Sequence, residues 1–248
     1  MQKSLHLVLL LIPFCISCNR YQYSTISSPQ LEKNDRNELV FENDTLVMVY
    51  NFMGPDLGPT IFIENKLMEP VYIDWRGSAL VVNGHTYSYA AIELDPHGNV
   101  VDGSGSATVD YISPRGTLNK TPLVLSQRYS TSIPREQLLK TTYTAAGYSY
   151  PVKTAIFTEA TSPLRFRSDI TYLVGSLKSE PRYFEHRFYV SGMMNAKAGP
   201  QAIMQNGDHG NQFFTSRHNG GGAATAALLT GAIVEGVIMA AGGLIGGQ

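Results

Sequence analysis

Histidine is the side chain best suited to proton transfer and metal ligation near neutral pH. Beyond His6 the chain carries His85, His97, His186, His209 and His218. No two of them stand four residues apart, and no His-Glu-x-x-His motif occurs. Asp208-His209 and His218 could meet around a metal, but their glycine- and asparagine-rich context favours a solvated loop. His186 alternates with aromatic neighbours and is expected in the core. Arg165, Arg167 and Asp169 share one face of a period-two segment. They suit either an anion or polysaccharide contact or, by default, a cross-strand charge ladder. Tyr87, Tyr89 and Tyr111 suggest an aromatic patch for sugars, although tyrosine-rich strands need no ligand to explain them. Gly103-Ser104-Gly105-Ser106 lacks the last glycine of a dinucleotide fingerprint, and neither a P-loop nor a Gly-x-Ser-x-Gly elbow is present. No catalytic residue, metal ligand or cofactor is therefore expected, and the chain is read as a non-enzyme.

Composition narrows the field further. Lys plus Arg is 19 against 20 for Asp plus Glu, and charged residues make up only 16% of 248. That balance excludes a basic nucleic-acid footprint and an acidic tail. The 2 cysteines exclude a disulfide-dense scaffold and a four-cysteine zinc site. Both fall at one junction. Lys3 precedes an apolar run, Leu5 to Phe14, with the length of a signal-peptide core rather than a membrane span. The run ends in Cys15-Ile16-Ser17-Cys18, which resembles a bacterial lipobox. Cys15 stands where that motif usually has leucine. The resemblance implies a signal peptide over 1–17, cleavage before Cys18 and acylation of Cys18. An ordinary secretory signal and a retained anchor are the alternatives. Residues 18–37 are polar and without period, as expected of a flexible tether.

Residues 38–192 alternate with period two between turn signals. Leu46, Met48, Tyr50 and Phe52 form one face of a strand, and Val71, Ile73 and Trp75 form another. Asn83-Gly84 predicts a two-residue hairpin. Leu164, Phe166, Ile170 and Tyr172 alternate with Arg165, Arg167, Asp169 and Thr171. Phe184, His186, Phe188 and Val190 alternate with Tyr183, Glu185, Arg187 and Tyr189. Pro134 to Lys140 suits one or two helical turns. The expectation is an all-β, antiparallel, immunoglobulin-like β-sandwich without the inter-sheet disulfide. Pro70-Val71-Tyr72-Ile73-Asp74-Trp75, Asn83-Gly84, the segment Pro163 to Tyr172 and Phe188-Tyr189-Val190-Ser191 resemble uncharacterised lipoproteins of Bacteroides-type bacteria. That resemblance implies a shared β-sandwich and carries no activity.

Residues 193–222 are expected to be a Gly/Asn-rich linker, and 223–248 an apolar, Gly/Ala-rich helical tail. Ala223 to Ile245 has Glu235 as its only charge. As a helix rising ~1.5 Å per residue, it would match a hydrocarbon core of ~30 Å. Gly242 with Gly246, and Gly243 with Gly247, have small-xxx-small spacing, which allows close helix approach. Glu235 would have to face helices or water if the tail entered lipid. A helix packed on protein, or a disordered tail, remains open. The expected role is a lipid-anchored, non-enzymatic interaction or assembly module of the cell envelope, at the outer membrane or periplasmic face. Its expected partners are the membrane, through acylated Cys18, and a protein or second copy, through 223–248; no nucleic acid is expected. The alternatives are a membrane-inserting or oligomerising component, such as a secretion-system part or antibacterial effector, and a surface glycan-binding protein.

Overall fold

A computed structural model describes residues 19–90, 108–125 and 133–218. Along the chain the strands are β1 (Asn19–Ser27), β2 (Glu32–Lys33), β3 (Leu39–Glu42), β4 (Leu46–Asn51), β5 (Gly54–Pro55), β6 (Thr60–Asn65), β7 (Val71–Val82) and β8 (His85–Ser88). They continue as β9 (Val109–Ile112), β10 (Thr117–Lys120), β11 (Leu139–Ala145), β12 (Tyr148–Ile156), β13 (Arg165–Val174), β14 (Arg182–Ala196) and β15 (Gln212–His218). Helix among the described residues amounts to a 3-10 turn at Arg135–Gln137 and one α-helical turn, α1 (Pro200–Ile203). The helical turns expected over Pro134 to Lys140 shrink to that 3-10 turn, because β11 begins at Leu139.

Among the described residues the fold is all-β, built as two sheets that share one main apolar core. The larger sheet has 10 strands among the described residues, ordered β5-β15-β1-β14-β13-β7-β8, with β12 beside β14, β11 beside β12 and β9 beside β7. The smaller has 5, ordered β10-β6-β4-β3-β2. Alternation explains how they meet. In β4, Leu46, Met48 and Tyr50 are buried while Val47, Val49 and Asn51 are only half-buried. In β13, Phe166, Ser168, Ile170 and Tyr172 are buried. These inward sets, with Trp75, Phe188 and Val190, form one cluster. Rings of the two sheets interlock within it: Phe52 lies 5.7 Å from Phe166 and 5.4 Å from Phe188, and Phe41 lies 4.8 Å from Phe184. Trp75, 1% exposed, is the core anchor its strand position suggested. Its indole N–H donates to Asp110 Oδ2 at 2.7 Å, and Lys120 Nζ, 2.7 Å from the same oxygen, sits 4.9 Å over the ring. That trio joins β9 of one sheet to β10 of the other. Asn83 (φ 49) and Gly84 (φ 84) form the expected hairpin between β7 and β8.

Two segment boundaries need correction. The stretch expected as a tether over 18–37 contains β1 and β2. Tyr21, Tyr23 and Thr25 alternate with Gln22, Ser24 and Ile26, and β1 lies inside the larger sheet, between β15 and β14. Ile26 joins the main core, while Tyr23 joins a smaller cluster with Val152, Ala196, Ile203 and Met204. Polar composition hid this strand: Gln22 and Ser24 are buried, and Gln22 Nε2 donates to Asn195 Oδ1 at 2.9 Å. The expected linker over 193–222 likewise holds the end of β14, α1 and β15. Its Gly210 is a packing residue. A Cβ there would lie 2.9 Å from the Arg36 carbonyl oxygen, and the Gly210 N–H donates to that oxygen. The domain expected over 38–192 therefore extends in both directions; its compact unit is Arg20–Ser216. The tail expected over 223–248 lies outside the described residues. Among the described residues no helix is long and apolar enough to cross a membrane.

Candidate functional site

β13 and β14 pair in register, so their outward residues stand opposite one another: Thr171 against Tyr183, Asp169 against Glu185, and Arg167 against Arg187. β7 pairs with the other edge of β13, but the register slips between Asp169 and Thr171. The extra β7 residues there, 75–78, form a bulge in which Arg76 and Gly77 are exposed while Trp75 and Ser78 stay buried. Ser78 holds the bulge: its hydroxyl donates to the Asp74 carbonyl at 2.6 Å and accepts from the Thr171 N–H at 2.9 Å. Thr171 Oγ1 donates to the Gly77 carbonyl at 2.7 Å. Gly77 is required by this closeness, since a Cβ would fall 2.9 Å from Thr171 Oγ1. A glycine inside a strand commonly marks such a bulge.

The bulge and the turn before β14 wall a pocket of about 350 Å³ on the outer face of the larger sheet. Its working groups are Arg167, Asp169, Thr171, Arg182, Tyr183 and Glu185. Arg167 Nε donates to Asp169 Oδ2 at 3.1 Å, and its Nη1 lies 3.7 Å from Glu185 Oε2. One guanidinium thus neutralises two facing carboxylates. The second Asp169 oxygen, Oδ1, is buried without a hydrogen-bond partner. Burial raises the Asp169 carboxyl above its ordinary range; Arg167 pulls it down, and Glu185 adds to the rise. Arg182 makes no ion pair with the described residues. Tyr183 stands 79% exposed at the rim. The site therefore offers two part-exposed carboxylates, a cation with no ion pair among the described residues and an exposed aromatic ring within one small concavity.

On the inner face of the same strands, a second polar cluster is sealed in the core. Tyr50 Oη lies 2.9 Å from His186 Nδ1 and 3.4 Å from Ser168 Oγ, and Tyr89 donates to Ser168 Oγ at 2.9 Å. Burial pushes the His186 imidazole down to about 4, so the ring is neutral, and its Nδ1 shares one hydrogen bond with the Tyr50 hydroxyl. Burial also raises the Tyr50 and Tyr89 hydroxyls. Buried between the sheets, this cluster ties one to the other through its hydrogen bonds.

No protein-family model, curated protein or solved structure matches this chain.

Of the residues that sequence singled out, Arg167 and Asp169 meet in the pocket. Arg165 stands apart from it, opposite Tyr189. Of the expected charge ladder, the contact of Arg167 with Glu185 crosses between the strands and lies in the pocket lining, while the directly opposed pairs, Asp169 with Glu185 and Arg167 with Arg187, are like-charged. Tyr87, Tyr89 and Tyr111 do not form a shared patch. Tyr89 is 1% exposed and bonded inside the core, whereas Tyr111 packs on Tyr72 at 5.4 Å. His209 is buried, with Nδ1 3.0 Å from Gln212 Oε1 and Nε2 3.3 Å from Asp208 Oδ1. No group of metal-binding side chains occurs among the described residues. Tyr183, Glu185, Arg182 and Gly77 were missed as site residues. The first two were visible as the outward phase of β14, and Gly77 as an isolated strand glycine. Cys18, Glu235, Gly242, Gly243, Gly246 and Gly247 lie outside the described residues.

Proposed function

We propose that this protein is a lipid-anchored, non-enzymatic interaction module of the cell envelope, whose sandwich presents the outer face of β13 and β14 to its ligand. One observation carries the reading: the part-exposed Asp169 and Glu185 carboxylates share an open pocket with Arg182, while the strongly perturbed Tyr50, Tyr89 and His186 are shut away in the core. The carboxylates of Asp169 and Glu185 sit side by side and share Arg167. That suits holding hydroxyl or amide groups better than flanking a scissile bond. The immunoglobulin-like assignment belongs to the same reading, supported by the antiparallel β3-β4-β6 sheet and the buried Trp75. Because β1 starts at Asn19, an acyl chain on Cys18 adjoins the first strand with no spacer in sequence. Residues 223–248 would dock on a protein partner or a second copy.

The anchor and the module are tested separately. Fatty-acid labelling should tag the wild-type chain, and Cys18→Ala should abolish the tag; an untagged wild type removes the anchor. Detergent-purified full-length chain should retain material from solubilised envelopes, and the double variant Arg182→Ala/Tyr183→Ala should release it. Equal retention by both would remove this face as the interaction site. Deleting residues 223–248 in the Cys18→Ala background should lower the oligomeric state or free a partner. A deletion that changes neither takes the tail out of the account.

A further inference from the structure

The charges in the pocket cancel locally. Arg167 and Arg182 face Asp169 and Glu185, so an anion entering it meets two carboxylates and a cation meets two guanidinium groups. A neutral polyol is repelled by neither. Its hydroxyls both donate and accept, so a neighbouring pair can donate to the part-exposed Asp169 and Glu185 carboxylates and accept from Arg182. Tyr183, 79% exposed, supplies the apolar half of the contact. A tyrosine ring offers a broad, rigid face at low entropic cost, with a hydroxyl left for solvent or ligand.

Openness separates a chain from a small molecule. Sites for small ligands usually enclose most of the ligand surface. This pocket is a shallow floor on a sheet with an exposed rim, and its about 350 Å³ lies at the low end of ligand pockets. One sugar unit fits such a floor while its neighbours run along the sheet. Resting on the interaction-module reading above, we infer that the pocket framed by Gly77, Asp169, Arg182 and Tyr183 binds a neutral saccharide unit within a longer glycan, its hydroxyl edge on Asp169 and Arg182 and its C–H face on Tyr183.

The test uses detergent-purified full-length chain on an array of neutral, acidic and amino-sugar glycans, followed by titration of the best neutral oligosaccharide. Tyr183→Ala and Asp169→Asn should each weaken binding by about tenfold or more, the loss expected when a central anchor is removed. Tyr148→Ala, exposed on β12 and outside the pocket, should bind as wild type does. Circular dichroism and thermal unfolding establish that each variant is folded. Arg182→Ala supplies a third pocket variant should Asp169→Asn fail to fold. A wild-type chain that binds no neutral glycan overturns the inference, as does a neutral binder indifferent to all three pocket variants. Binding confined to acidic glycans, or to free amino acids, overturns it too. If envelope material is still retained through Arg182 and Tyr183 without any glycan binding, the saccharide inference fails and the module survives. If nothing is retained, both fail.

Discussion

β13 and β14 carry two polar clusters on opposite faces, separated by one step of the pleat. Inside, Ser168 and His186 meet Tyr50 and Tyr89 in a chain of hydrogen bonds sealed between the sheets. Outside, Asp169 and Glu185 meet Arg167, with one carboxylate oxygen and a neighbouring arginine left unpaired. Both clusters contain the side chains from which active sites are made. Only the outer one has space beside it and bonding capacity left over. The contrast teaches that residue type and perturbed ionisation do not identify a site here; unmet hydrogen-bonding capacity beside a cavity does. Buried polar groups that satisfy one another specify the packing. The partly satisfied groups of the outer face are the basis of the interaction proposed for it.

Variants can sharpen this contrast, beginning with the largest expected effect. Phe188 packs its ring against Tyr50, Phe52 and Phe166 at 5.1, 5.4 and 5.1 Å. Phe188→Ala should cost about 3–5 kcal/mol in denaturant unfolding. A loss under ~1 kcal/mol would mean that the two sheets do not share a tight core.

The next effect depends on pH. His186 falls from 6.5 unfolded to about 4 folded, so the unfolded chain binds the extra proton between those values. Stability should therefore decline as pH falls from about 6.5 and stop declining on this account near 4. The total is about 3 kcal/mol at ~1.4 kcal/mol per pH unit. His186→Phe, whose ring can pack against Phe41 and Phe184, should remove that slope. An unchanged slope would show that His186 titrates normally and is not sealed.

Tyr50→Phe comes third. It leaves His186 Nδ1 without its 2.9 Å partner and should cost about 1–3 kcal/mol. Smallest in stability is Tyr183→Ala on the outer face, expected within ~0.5 kcal/mol of wild type because Tyr183 is 79% exposed. A large destabilisation there would make Tyr183 a structural residue.

Much of the two-sheet fold was legible in the sequence because strands with one wet face print their alternation directly. β4, β13 and β14 were placed from Leu46, Phe166 and Phe188 and their period-two neighbours. β1 was not, because a strand inside a sheet can bury Gln22 and Ser24 when partners such as Asn195 are supplied from 173 residues away. Composition sees only polarity and cannot see that partner. β15 was lost for a related reason: its Gly/Asn-rich approach looks like a linker until Gly210 is seen against Arg36. The Ala146-Gly147 turn, at φ 49 and 81, joins β11 to β12 with no asparagine or aspartate to announce it. For the site, the alternation placed Arg167 and Asp169 outward, yet it could not pair Asp169 with Glu185. That pairing needs the β13–β14 register, and the pocket needs the β7 bulge as well. Both are long-range facts that no local pattern carries.

The contrast between the two faces is tested most directly by titrating one glycan or envelope ligand against Tyr183→Ala and Tyr50→Phe in parallel, with unfolding followed on the same preparations. The account predicts that Tyr183→Ala loses about tenfold or more in affinity at unchanged stability, while Tyr50→Phe loses stability at unchanged affinity. Tyr50→Phe abolishing binding in a folded chain, with Tyr183→Ala binding normally, would contradict it.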